Sequence, residues 1–149
     1  MDIYRRNLYQ LIMKLEVCAN SFQSAKNAQL GGAHRIELCQ ELTVGGLTPS
    51  YGLLKEILEK LQIETFVLIR PRSGDFCYIE EEYQVMKQDL IQYKNMGCNG
   101  IVSGVLLENG NVDLERTKKL VELSNPLPFT FHRAFDCTSY SFSALSDLK

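Results

Sequence analysis

Residues 15–39 read LEVCANSFQSAKNAQLGGAHRIELC, a stretch that begins and ends with one short pattern: an apolar residue, Glu, an apolar residue and Cys. Alternation of this kind predicts two β-strands, each with Glu and Cys on one face and the apolar residues on the other. The residues between them, from about 22 to 30, favour a helix that ends at the glycines 31 and 32. The stretch therefore predicts one parallel βαβ unit with a right-handed crossover.

The same alternation of strand and helix continues to the end of the chain. Strands are predicted at 15–19, 36–39, 65–69, 100–105 and 128–131. The spacing of apolar residues predicts further helices at about 53–61, 79–93, 114–123 and 139–149. The expected N-caps of the first, second and fourth helices are Asn20, Thr48 and Asp113.

The length of the repeat predicts the fold class. From Leu15 to Phe129 the chain advances 114 residues in four repeats, about 28.5 residues per unit. Eight such units would need about 228 residues, close to the roughly 250 of a (β/α)₈ (TIM) barrel. We therefore expect residues 1–149 to form a single α/β domain of the TIM barrel family, incomplete, with about five βα units. An open, doubly wound sheet is the alternative, although the chain lacks a Gly-x-Gly-x-x-Gly turn after the first strand.

Composition limits the classes of function. The 149 residues include 16 Lys and Arg against 18 Asp and Glu, a formal net charge of −2, so binding of nucleic acid to a basic surface is not expected. No apolar run is long enough to span a membrane, and no membrane partner is expected. Five cysteines, an odd number without CxxC spacing, argue against a disulfide framework and favour a reducing cytoplasm.

Ionisable side chains are predicted to meet near the carboxyl ends of the strands, where the chemistry of barrels takes place. The candidate catalytic residues are Glu16, Glu37, Arg70, Arg72, Asp75 and His132. This set predicts an enzyme that acts on a small anionic metabolite, with Glu37 or His132 as the acid/base. Arg70 with Arg72 is the expected anion clamp. The alternative is a buried network of Glu and Arg that neutralise each other and carry no chemistry.

Cys18 and Cys39 end the two patterns of the opening stretch and share one face. Neighbouring strands lie about 4.8 Å apart, so the two sulfurs are expected to lie close to each other. Two thiolates at this distance suit Cu(I), with His132 or Cys77 as a further ligand, and the same separation suits a disulfide. Free cysteine also occurs as a small buried apolar residue, and spacing alone favours this interpretation.

Six segments, in this order, resemble the CutC family: 15–18, 35–39, 45–50, 70–76, 110–113 and 131–136. The resemblance runs from about Met13 to the end of the chain. It implies a TIM-barrel fold, a cytoplasmic location and a part in copper homeostasis. It also implies that Cys18 and Cys39 correspond to the cysteines proposed to bind Cu(I) in the family. Residues 1–12 precede the usual start of the family and are expected to be an N-terminal extension outside it.

The later strands of the family are absent from this sequence, so the first and fifth strands are expected to be open edges. Open edges and uncovered apolar surface predict that the chain associates with itself as a homo-oligomer or is poorly stable. An inactive partial scaffold is therefore a third hypothesis, beside the copper-binding protein and the barrel enzyme.

Overall fold

A computed structural model describes residues 13–149. The predicted N-terminal extension, residues 1–12, lies outside the described residues. The strands are β1 (Glu16–Ala19), β2 (Arg35–Leu38), β3 (Glu64–Leu68), β4 (Gly100–Ser103) and β5 (Phe129–Phe131). The helices are α1 (Phe22–Leu30), α2 (Tyr51–Lys60), α3 (Glu80–Met96), α4 (Leu114–Ser124) and α5 (Ser141–Asp147). Short 3₁₀ turns follow β2 at Leu42–Val44 and β5 at Arg133–Cys137.

The five strands form one parallel sheet in the order β1-β2-β3-β4-β5. Each strand pairs with the next strand in sequence, which is the order of consecutive βα units in a barrel, whereas a doubly wound sheet reverses its order at a switch point. The predicted α/β fold of the barrel type is therefore confirmed. Within residues 13–149, β1 and β5 are the edges of this sheet, and no helix is long and apolar enough to cross a membrane.

The main core lies between the sheet and the helices. Right-handed crossovers place the helices on one face of the sheet, and Ile36, Val67 and Ile101 are fully buried there. Leu15, which was expected to join this core, is half exposed because β1 begins only at Glu16. The opposite face, called the inner face below, holds a second, smaller cluster of Cys39, Phe66, Leu68 and Val102.

Side chains cap the helices close to the predicted positions. Asp113 caps α4 as predicted. The cap of α1 is Ser21 rather than Asn20, because Ser21 exchanges two hydrogen bonds with Ser24. The Ser21 hydroxyl accepts from the backbone N–H of Ser24 at 3.1 Å, and the Ser24 hydroxyl accepts from the backbone N–H of Ser21 at 3.0 Å. This is a capping box in which Ser replaces the usual Glu or Gln.

Candidate functional site

The inner face carries most of the predicted site residues, in rows that run across the strands. Residues paired in a parallel register point to the same side of the sheet. The register gives a first row of Glu16, Arg35 and Glu64, and a second row of Cys18, Glu37 and Phe66. Beyond the second row come Cys39 and then, after the carboxyl ends of β3 and β5, Arg70 and His132. On the inner face, two carboxylates and Arg35 therefore lie in the first row, whereas Arg70 and His132 lie at the opposite, carboxyl end of the strands.

Glu16 lies at the amino end of β1 and is neutralised there. Its carboxylate forms an ion pair with the Nε of Arg35, the residue opposite it in the register. Arg35 in turn stacks on Phe66, with 4.2 Å between its Cζ atom and the centroid of the ring. The structure therefore does not bring Glu16 to Arg70 and His132, which follow the opposite ends of β3 and β5.

Glu37 lies in the second row, between Cys18 and Phe66. Burial and the carboxylate of Glu16 raise the pKa of Glu37, and the charge of Arg35 offsets part of this effect. Within residues 13–149, Glu37 forms no ion pair. Its role as an acid or base stays a prediction, and its charge acts on the neighbouring thiols.

Cys18 and Cys39 share the inner face, but they do not lie opposite each other. The partner of Cys18 in the register is Glu37, so Cys39 lies two residues further along its own strand direction. This diagonal separates the two Cα atoms by about 8 Å, given about 4.8 Å between strands and about 6.6 Å for two residues. The prediction that Cys18 and Cys39 are separated only by the distance between neighbouring strands is therefore wrong. The separation also exceeds the Cα range of a disulfide, and both cysteines are free.

The two thiols differ in exposure. Cys18 is exposed, whereas Cys39 is 1% exposed and its Sγ lies 3.8 Å from a backbone carbonyl oxygen of β1. Burial, followed by the charge of Glu37, raises the pKa of both thiols, that of Cys39 to about 12. In the described part of the chain, no group of three or more His, Cys, Asp or Glu side chains could hold a metal ion. Neither His132 nor Cys77 therefore joins the pair as a further ligand.

Arg70 connects the loops at the carboxyl ends of the strands. The backbone N–H of Arg70 donates a hydrogen bond to the hydroxyl of Thr48 at 2.8 Å. Thr48 was predicted to cap α2, but the cap of this helix is Ser50. The side chain of Arg70 is 3% exposed. Its guanidinium donates to three backbone carbonyl oxygens at 2.8–2.9 Å: those of Val44, Gly46 and Gly74. A positive charge is thus buried at this end of the sheet with dipoles as its partners.

Arg72 is occupied by carboxylates. Its Nε donates to the carboxylate of Glu82 at 2.6 Å, and its Nη2 donates to the carboxylate of Asp75 at 3.0 Å. The hydrogen bond from Arg72 lowers the pKa of Asp75. Two carboxylates therefore already balance the charge of Arg72, and the predicted anion clamp of Arg70 with Arg72 stays a prediction.

His132 follows β5 and is buried, with 8% of its surface exposed. Its Nδ1 accepts a hydrogen bond from the backbone N–H of Ala134 at 3.3 Å, so the proton of the neutral ring lies on Nε2. Within the described residues, Nε2 has no hydrogen-bond partner. Burial, followed by the charge of Arg70, lowers the pKa of His132 to about 4. At neutral pH the ring is therefore an uncharged hydrogen-bond donor.

Arg133 is a site residue that sequence reasoning missed. A Cβ atom added at Gly45 would lie 2.6 Å from Nη1 of Arg133 and 3.4 Å from Nη1 of Arg70, so both guanidinium groups lie against the same glycine. Alternation along β5 assigns Arg133 to the face of Phe131. The 3₁₀ turn that begins at Arg133 breaks this alternation and directs the side chain to the strand ends. Only the position of Arg133 next to His132 pointed to it.

The fold and the site define the class of the protein. It is a parallel α/β protein of the barrel type, with ionisable groups on the inner face and at the carboxyl ends of its strands. The family model that matches it is that of the CutC family, over residues 13–149. The chain belongs to the CutC family.

Relatives with known names agree with this assignment. The chain is 50% identical over 134 residues to the copper homeostasis protein cutC homolog of Mus musculus, covering 90% of this chain and 49% of the mouse protein. It is 48% identical over 135 residues to a family protein CutC of Photorhabdus laumondii, covering 91% and 54%. A solved structure of CutC from Streptococcus agalactiae superposes with a TM-score of 0.83 at 34% identity, covering 91% and 68%. The chain spans about half the length of the curated relatives it matches.

Proposed function

We propose that the protein acts in copper homeostasis by binding Cu(I) through Cys18 and Cys39. The observation that carries this proposal is the position of both thiols on the inner face, where each is a neighbour of Glu37: Cys18 lies opposite it on β1, and Cys39 lies two residues further along the chain. The name of the mouse relative supports the part in copper homeostasis. The proposed setting is the cytoplasm, where cysteines stay reduced.

The donor set fits this ion. Thiolates select soft ions such as Cu(I), and a pair of thiols needs no third protein ligand from elsewhere in the described chain. Binding has to release the protons of both thiols, and burial with the charge of Glu37 opposes this release in the metal-free protein. We therefore expect the apparent affinity for Cu(I) to rise with pH, since a proton competes with the metal at each sulfur.

A chelator competition tests the proposal. The 149-residue chain is titrated with Cu(I) under anaerobic, reducing conditions against a coloured Cu(I) chelator, and compared with the Cys18→Ser, Cys39→Ser double variant. The matched controls are Cys137→Ser for an exposed cysteine and Cys98→Ser for a buried one. The proposal predicts one Cu(I) per wild-type or control chain and none for the double variant. Unchanged stoichiometry in the double variant would overturn it.

A further inference from the structure

Two guanidinium groups meet at the carboxyl ends of the strands. Both lie against Gly45, at distances of 2.6 Å (Arg133) and 3.4 Å (Arg70) from the position that a Cβ atom would take. Their charges also act together on His132: burial is the largest cause of its lowered pKa, and the charges of Arg70 and Arg133 lower this pKa further. This convergence is independent of the cysteine pair and involves different side chains.

These two charges lack an acidic partner. Of the ion pairs formed within residues 13–149, none includes Arg70 or Arg133. Arg70 is buried, and its guanidinium donates to backbone carbonyls, while its Nε has no partner in the described residues. Neighbouring like charges disfavour each other, and buried charges such as that of Arg70 are ordinarily paired. An anion bound between the two guanidinium groups would balance both charges.

A cavity of about 380 Å³ lies at this point. This volume is within the range of small-molecule sites, and its place at the carboxyl ends of parallel strands is where the sites of barrel proteins lie. Beside the two arginines, the cavity is lined by Val44, Ser73, Gly74, Phe76 and Cys137. None of these lining side chains carries a carboxylate that would repel an anion.

We propose that Arg70 and Arg133 form a binding site for a phosphate group, free or as a phosphate monoester. A phosphate monoester carries about −1.5 to −2 charges at pH 7, which matches two guanidinium groups better than the single charge of a carboxylate. Arg70, held by three carbonyls, supplies a fixed positive charge. Arg133, which is exposed, supplies the N–H groups that donate to the phosphate oxygens, the bidentate geometry that guanidinium favours.

Thermal unfolding of the 149-residue chain in inorganic phosphate tests this site. Two salts at the same ionic strength serve as controls: sodium chloride for the effect of ionic strength on thermal unfolding, and sodium acetate for the effect of an anion with a single negative charge. The variants are Arg133→Gln, which removes the charge, and Arg133→Lys, which keeps the charge but loses the planar fork. Lys118→Gln is the matched control, since Lys118 is an exposed cation on α4, away from the cavity.

We expect phosphate to raise the midpoint temperature of thermal unfolding of wild type and of Lys118→Gln more than either control salt does. Arg133→Gln should need at least about tenfold more phosphate for the same rise, because charge-assisted hydrogen bonds are lost. Arg133→Lys should lie between the two, and it provides the comparison if Arg133→Gln does not fold. Equal effects of phosphate and chloride on wild type, or a full phosphate effect in either Arg133 variant, would overturn the proposal. Neither outcome bears on Cu(I), because every cysteine is retained.

Discussion

Replacing His132 by Gln tests the description of this residue as a buried, neutral ring. The pKa of His132 falls from an ordinary 6.5 to about 4 in the folded protein. Between these values the unfolded chain binds a proton that the folded chain does not, so stability is lost as the pH falls through 6.5 and the loss is complete below about 4. At about 1.4 kcal/mol per pH unit, the difference between 6.5 and 4 gives a limit of about 3.5 kcal/mol.

The measurable part of this loss lies in mildly acidic solution. At about pH 5 the same two pKa values give a loss of about 2 kcal/mol relative to about pH 7.5. Denaturant unfolding of wild type and His132→Gln at both pH values isolates this contribution, because the carboxyl groups titrate in both proteins. We expect the wild type to lose about 2 kcal/mol more than the variant over this range.

A control with the other histidine completes the test. His34 is exposed and accepts a hydrogen bond from the backbone N–H of Leu15. The His34→Gln variant should keep the pH dependence that His132 causes. If wild type and His132→Gln lost the same stability between the two pH values, His132 would not be a buried neutral ring, and the geometry at the end of β5 would be refuted.

Two further predictions concern the inner face. The Gly100→Ala substitution adds a Cβ atom that would lie 2.5–2.6 Å from carbon atoms of the Phe66 ring, so we expect the free energy of unfolding to fall by about 1–3 kcal/mol in denaturant unfolding; an unchanged value would contradict this packing. In the folded protein, iodoacetamide should modify the exposed Cys18 faster than Cys39, which is buried and has a pKa of about 12. Mass spectrometry of the alkylated peptides checks this order, and faster reaction at Cys39 would argue against it.

Local patterns were enough to predict the architecture. Alternation in the LEVC and RIELC segments identified strands that pair in parallel, and the repeat length favoured a barrel. The doubly wound alternative was excluded only by the strand order in the structure. Asp113 was identified as a helix cap because its signal is local. Ser21 was not, since a reciprocal bond with Ser24 is not the Glu or Gln pattern that marks a capping box.

The candidate site was harder to predict because it depends on register and on loops. Two identical patterns suggest that Cys18 lies opposite Cys39, but neighbouring strands of a barrel are staggered, and Cys18 pairs with Glu37 instead. Beyond the end of a strand, alternation no longer determines the side of the sheet to which a side chain points. The contacts of Arg72 with Glu82 and Asp75, and of Arg133 with Gly45 at the strand ends, could therefore not be predicted.

X-ray absorption spectroscopy of the Cu(I)-loaded chain tests the central claim, that Cys18 and Cys39 bind the ion, most directly. The spectrum reports which elements coordinate copper. We predict sulfur ligands only for wild type, and loss of this sulfur coordination in the Cys18→Ser, Cys39→Ser variant. Nitrogen or oxygen ligands in wild type, or the same sulfur signal in both proteins, would contradict the assignment of these two cysteines.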